Sequence, residues 1–227
     1  MQKIIMDDGF NPEFVADAFF DGILELPILE KPKQLIIPKG MIPFSQCDRS
    51  EHHSEFIVFY EYDVRFASIL QAPGLYENKL RQFPGMVTLD NSVYVDSPLA
   101  VQIANVYRSR AIGYYYQKRG FYVIPNVRWG DERSYTCSEL PEKFAFLGLP
   151  KHSIVSVGSY GCCQTSEEKY HLKHGLIAML DELEPEIVLV YGSMPESVFG
   201  DIFHRTHFIN YPDWTSIKKG GAINGHK

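Results

Sequence analysis

Short runs of β-branched and aromatic residues recur down the middle of the chain, each ending on a polar residue. The runs are Phe56–Asp63, Met86–Ser92, Phe121–Arg128, Ile154–Tyr160 and Ile187–Ser193. Most lead into a stretch with helical periodicity, and from Phe56 the repeat is about 30 residues, the size of one βα unit. Such near-continuous apolar runs suit strands buried on both faces, as in a parallel sheet. The expected fold is therefore α/β, with repeated βα units, a mainly parallel sheet and a TIM-barrel-like or incomplete-barrel architecture. An open doubly wound sheet is the alternative, weakened by the absence of a GxGxxG turn.

Two helices are marked at both ends. Ser97-Pro98 opens Leu99–Arg119 and Gly120 closes it; Thr165-Ser166-Glu167-Glu168 forms a capping box before Leu172, Leu176, Met179, Leu180 and Leu183, with Pro185 as the stop. Asn11-Pro12 predicts a short helix over 13–20. Val64–Leu70 and Pro73–Phe83 read as helical, as does a shorter stretch from Pro195 to Phe203. Leu35–Ile37 reads as a first strand and Phe208–Tyr211 as a last one. One domain is expected over 1–217, followed by a disordered, basic, glycine-rich tail at 218–227.

Parallel α/β folds place their sites at the carboxyl ends of the strands, so the polar residues closing each run become the candidates. Alternation sends Glu61 and Asp63 to one face, and Asp90 follows at the end of the next run; these are the candidate catalytic carboxylates. With Asp96 nearby, such a group suits Mg²⁺ or a divided acid–base role, although Asp63 and Asp96 equally suit a cap and a turn. The metal itself is left unassigned. Asn126 and Arg128 share a face, where the guanidinium suits bidentate capture of an anion or an internal ion pair with Asp90 or Glu61. Trp129 is placed to stack a base or sugar. Ser159 and Tyr160, then Tyr191 and Ser193, supply hydroxyls at two further strand ends, each beside a glycine that serves ligand approach or tight packing equally. GSYGC is not the GxSxG elbow of a hydrolase.

Composition narrows the partners. The net charge of −6 argues against broad nucleic-acid binding, and no apolar run reaches the length of a membrane span. The acidic N-terminal stretch is not that of a signal peptide, so a cytoplasmic protein is expected. Cys47, Cys137, Cys162 and Cys163 include no CxxC pair and read as reduced thiols; zinc would require a long-range set such as Cys47 with His52 or His53.

The strings PLAVQIANVYRSRAIGYYYQKRG, VIPNVRWGDERSY, GLPKHSIVSVGSYGC and IVLVYGSMPESVF, with FYEYDVRF upstream, resemble a phage, plasmid and integrative-element family, the domain of unknown function numbered forty-four seventeen. The likeness spans roughly Ile36–Tyr211, leaving the loop Asn91–Val95 unmatched, and implies no established activity. It implies a mobile-element-encoded protein. The expected function is an enzyme or binder acting on an anionic small molecule, a nucleotide or sugar phosphate, at the strand ends. The alternative is a non-catalytic accessory protein that modulates a host, defence or replication protein through its acidic surface.

Overall fold

A computed structural model describes residues 11–51 and 53–218. The expected tail falls, from 219 onward, outside the described residues, as does His52; Lys218 closes a helical turn over 214–218. In chain order the elements are β1 (Phe20–Asp21), β2 (Leu26–Pro27), β3 (Met41–Pro43), β4 (Phe56–Val58), α1 (Ala67–Gln71), α2 (Glu77–Leu80), β5 (Met86–Val87), α3 (Leu99–Lys118) and β6 (Val123–Ile124). They continue with α4 (Glu132–Tyr135), β7 (Ile154–Gly158), α5 (Ser166–Leu183), β8 (Ile187–Tyr191), α6 (Glu196–Phe199) and β9 (His207–Tyr211). Short 3₁₀ turns fill several connections, among them Pro12–Val15 and Gly200–Arg205.

The fold is α/β with parallel sheets. A four-stranded sheet runs β3-β4-β5-β6 and a three-stranded sheet runs β7-β8-β9, each in strict chain order. All pairings within them are parallel. One bridge, Asn126 to Ser156, joins the two, with Val127 N–H donating to Ser156 O and Ser156 N–H donating to Pro125 O, both at 2.8 Å. No hydrogen-bonded ladder joins β9 to β3 among the described residues.

The alternation along each strand explains its burial on both sides. Ile57, Met86 and Val123 face outward into a cluster covered by α1 and α3; Val155, Val157, Val188 and Val190 face outward into a second cluster beneath α5. The opposite faces converge on a third cluster, to which every one of these strands contributes: Met41, Val58, Val87, Ile124, Ile154, Leu189 and Tyr211 are members. The Tyr211 hydroxyl also donates to Pro38 O at 2.6 Å, tying the last strand to the residues before β3.

Several expectations need correction. Leu35–Ile37 forms no strand, and Ile36 and Ile37 are exposed; the parallel sheets begin instead with Met41–Pro43. The ladders are shorter than the apolar runs, because residues beyond each ladder curl into the rim. The Asn11 side chain does cap its neighbour, accepting from Glu13 N–H at 3.0 Å, but the helix behind it is one 3₁₀ turn. Gly22, at φ 67°, turns the chain instead into the unexpected antiparallel hairpin β1–β2. The stretch 63–83 breaks into short helical pieces. Ser97 does not cap α3; Pro98 precedes it without a side-chain cap.

Candidate functional site

The carboxyl ends of the strands open together on a cleft of about 520 Å³, lined among others by Tyr60 and Glu61 after β4, Asp90 after β5, Arg128 after β6 and Tyr160 after β7, with Tyr191 at the end of β8 and Trp214 after β9. Its floor is a polar chain under the rim. The Tyr60 hydroxyl donates to Asn126 Oδ1 at 3.1 Å, which leaves the Ser156 hydroxyl as donor in its 2.7 Å contact with Tyr60. Asn126 Nδ2 in turn donates to Asp90 Oδ1 at 2.7 Å. Burial, with Asp90 nearby, keeps the Tyr60 phenol protonated far above its ordinary range. The Tyr60 ring stacks on Tyr191 with centroids 5.0 Å apart.

Asn126 is held from two further directions. Its N–H donates to Thr88 Oγ1 at 2.9 Å, and its carbonyl accepts from Arg110 Nη1 at 3.1 Å. Arg110 is 1% exposed, and its other donors go to Leu147 O and Ala145 O. Stripped of solvent and given only main-chain acceptors, its guanidinium has its pKa pulled down to about 9.

Arg128 lies at the mouth of this network. Its Nη1 donates to Gly158 O at 3.2 Å, while Nε sits 3.8 Å from Asp90 Oδ1, too far for a hydrogen bond, and is buried without an acceptor. The internal ion pair weighed above is thus present but loose. Burial pushes the Asp90 carboxyl up from its ordinary value; Arg128 and the Asn126 amide partly offset this, and Asp63 adds to it. Arg128 stays charged, held so chiefly by Asp90.

The other acids are spoken for. Asp63 begins a 3₁₀ turn beyond β4 and accepts from Ser92 N–H at 3.1 Å and Ser92 Oγ at 2.7 Å, stitching the β4 and β5 loops together. Glu61 faces the cleft but accepts from Ser45 N–H at 2.9 Å and lies 3.5 Å from Arg65 Nη1. Because β4 stops at Val58, the alternation that was to align Glu61 with Asp63 does not extend to them. Asp96 sits in a turn. Among the described residues no three of His, Cys, Asp or Glu come together to hold a metal, so Mg²⁺ has no ready-made carboxylate cage here.

The remaining candidates divide between lining and support. Tyr160 is half exposed on the cleft wall. Tyr191 is buried, and its hydroxyl accepts from Trp214 N–H at 2.9 Å. Ser159 is buried and donates to Ser193 O at 2.5 Å, joining the two strand-end loops; neither serine lines the cleft. Trp129 is buried under α5, its indole N–H donating to His171 O at 3.0 Å, with part of its ring lining a smaller adjoining recess. Sequence reasoning missed Tyr60, Ser156 and Arg110 below the cleft and Tyr62, Tyr94, Cys162 and Trp214 around it. Arg110 carried a readable signal, standing one helical turn from the apolar Val106 and from Tyr114, both of them buried.

Comparison with known proteins places the chain. A model described as "Domain of unknown function (DUF4417)" matches residues 18–212, and the chain belongs to that family. It is similar to the Gene 1 protein of Mycobacterium phage L5, 30% identical over 136 residues that make up 60% of this chain and 56% of the phage protein. It is also similar to the Gene 1 protein of Mycobacterium phage D29, 29% identical over 136 residues, or 60% and 48% of the respective chains. The chain thus spans about half the length of the curated relatives it matches. No solved structure matches it. No helix among the described residues is long and apolar enough to cross a membrane.

Proposed function

We propose that this domain binds an anionic small molecule, a nucleotide or sugar phosphate, in the cleft at the strand ends. The observation that carries the reading is Arg128, a charged guanidinium at the cleft whose buried Nε makes no hydrogen bond. A buried donor without an acceptor is costly, and a rotation of the Arg128 side chain that turns Nε to a phosphate or carboxylate oxygen in the cleft removes the deficit. Arg65 adds a second guanidinium to the same lining, and Tyr62, Tyr94 and Tyr160 add exposed rings and hydroxyls. Asp90, holding a proton to higher pH than an ordinary carboxylate, suits acid–base work on such a ligand.

The same reading treats the two sheets as one incomplete barrel. Its supports are the strictly sequential strand order, without the reversal that marks a doubly wound sheet, the single inner cluster fed by every parallel strand, and the Tyr211–Pro38 tie. The similar phage proteins support a phage or other mobile-element setting.

Thermal-shift titration with nucleotides and sugar phosphates tests the proposal. At least one should raise the melting temperature of the wild-type chain, and Arg128→Ala should weaken that ligand by about tenfold or more, the scale of one charge-assisted hydrogen bond. Circular dichroism of the variant separates lost binding from lost folding. A wild-type chain that no anion stabilises would sink the reading.

A further inference from the structure

Beside the main cleft lies a second recess of about 250 Å³, between the loop after β5, the end of β6 and the start of α5. Val93, Val95, Val127, Val157, Leu172 and Trp129 form its walls. Its polar groups are largely committed: Glu168 accepts from Gln164 N–H and Thr165 N–H, and His171 Nδ1 meets the Tyr135 hydroxyl at 3.2 Å. The two cavities share a boundary, because Tyr94, Arg128, Gly161 and Cys162 line both. One compartment is therefore wider and more polar, the other narrower and mainly apolar, with the unpaired Arg128 Nε near their junction.

Resting on the reading above, we infer that the ligand is a nucleotide rather than a sugar phosphate, its base in the apolar recess and its sugar and phosphate in the main cleft. A sugar phosphate has no apolar face to offer five aliphatic side chains and an indole, so the recess would gain nothing from it. Most of those walls are already buried, so a planar heteroaromatic ring covers Val95 and the little apolar surface still open, and the exposed Tyr94 at the boundary presents a ring against which it can stack. Arg128 then stands where base and sugar join, and its planar fork donates toward the phosphate side while its face packs against the base. Gly161, at φ 78°, has nothing within 4 Å of where a Cβ would stand, so the boundary is open on that side.

Isothermal titration of the full chain with the common ribonucleoside 5′-monophosphates and with ribose 5-phosphate tests this. At least one nucleotide should bind about tenfold or more tighter than ribose 5-phosphate, the scale of one base–aromatic stack. Val95→Trp fills the recess from a partly exposed loop position and should remove that advantage while leaving ribose 5-phosphate binding unchanged. Equal affinity for the two ligand types overturns the inference but leaves the anion-binding reading standing. So does a nucleotide preference that survives Val95→Trp, or a variant that weakens both ligand types alike. If no anion binds the wild-type chain, both readings fall.

Discussion

Gly158 ends β7 where no side chain would fit, since a Cβ there would meet Tyr60 Cδ1 at 2.6 Å. The Tyr60 ring cannot retreat, being stacked on Tyr191 and fixed through its hydroxyl to Asn126 and Ser156. Gly158→Ala should therefore destabilise the chain by about 1–3 kcal/mol, the range for overpacking a rigid core, as measured by denaturant unfolding. A loss below a few tenths of a kcal/mol would mean that the stack yields. Individual residues were the least legible scale in the sequence. Asp90, Asn126 and Arg128 could be gathered by their places at successive strand ends, and they do meet. Tyr60 and Ser156, which complete the floor, sit inside apolar runs and announce nothing by type. Asp63 and Glu61 were misjudged because alternation was carried past the point where the strand stops.

Among the elements, α5 shows how strongly a terminus can be written. Thr165 accepts from Glu168 N–H at 3.1 Å, and the Glu168 carboxylate accepts from Thr165 N–H at 2.9 Å. These bonds satisfy donors that the first turn otherwise leaves unpaired. Thr165→Ala should cost about 1 kcal/mol in chemical denaturation, and an unchanged midpoint would show the cap to be redundant. Helix α3 ends at Gly120, φ 79°, as its sequence predicts. The failures have physical causes. Met41–Pro43 was not expected as a strand; its Pro43 is tolerated because β3 is an edge strand, where a missing N–H does no harm. Of the two expected helices Val64–Leu70 and Pro73–Phe83, the first shortens to α1 and the second, which Pro73 does open, splits into a 3₁₀ turn and α2.

For the whole molecule, the alternation of strand and helix announced the α/β class, the parallel pairing and the end at which the cleft lies. It said nothing of how the outer edges β3 and β9 stand to each other, and no ladder joins them among the described residues. The inner cluster supplies a test of unity. Leu189, fully buried at its centre, packs with side chains from both sheets. Leu189→Ala should lower stability by about 2–5 kcal/mol while the whole chain still unfolds in one transition, followed by circular dichroism and tyrosine fluorescence together. Two separated transitions would make the sheets independent units and defeat the single-domain expectation.

The bridge at Asn126 and Ser156, the one link of its kind between the sheets among the described residues, has one further consequence. It is a seam: the two ladders meet in a single rung, directly under the floor of the cleft, with Tyr60 reaching across from one side to Ser156 on the other. A ligand lodged above that seam would touch both sheets at once, and so act on the molecule as a rivet acts on two overlapping plates.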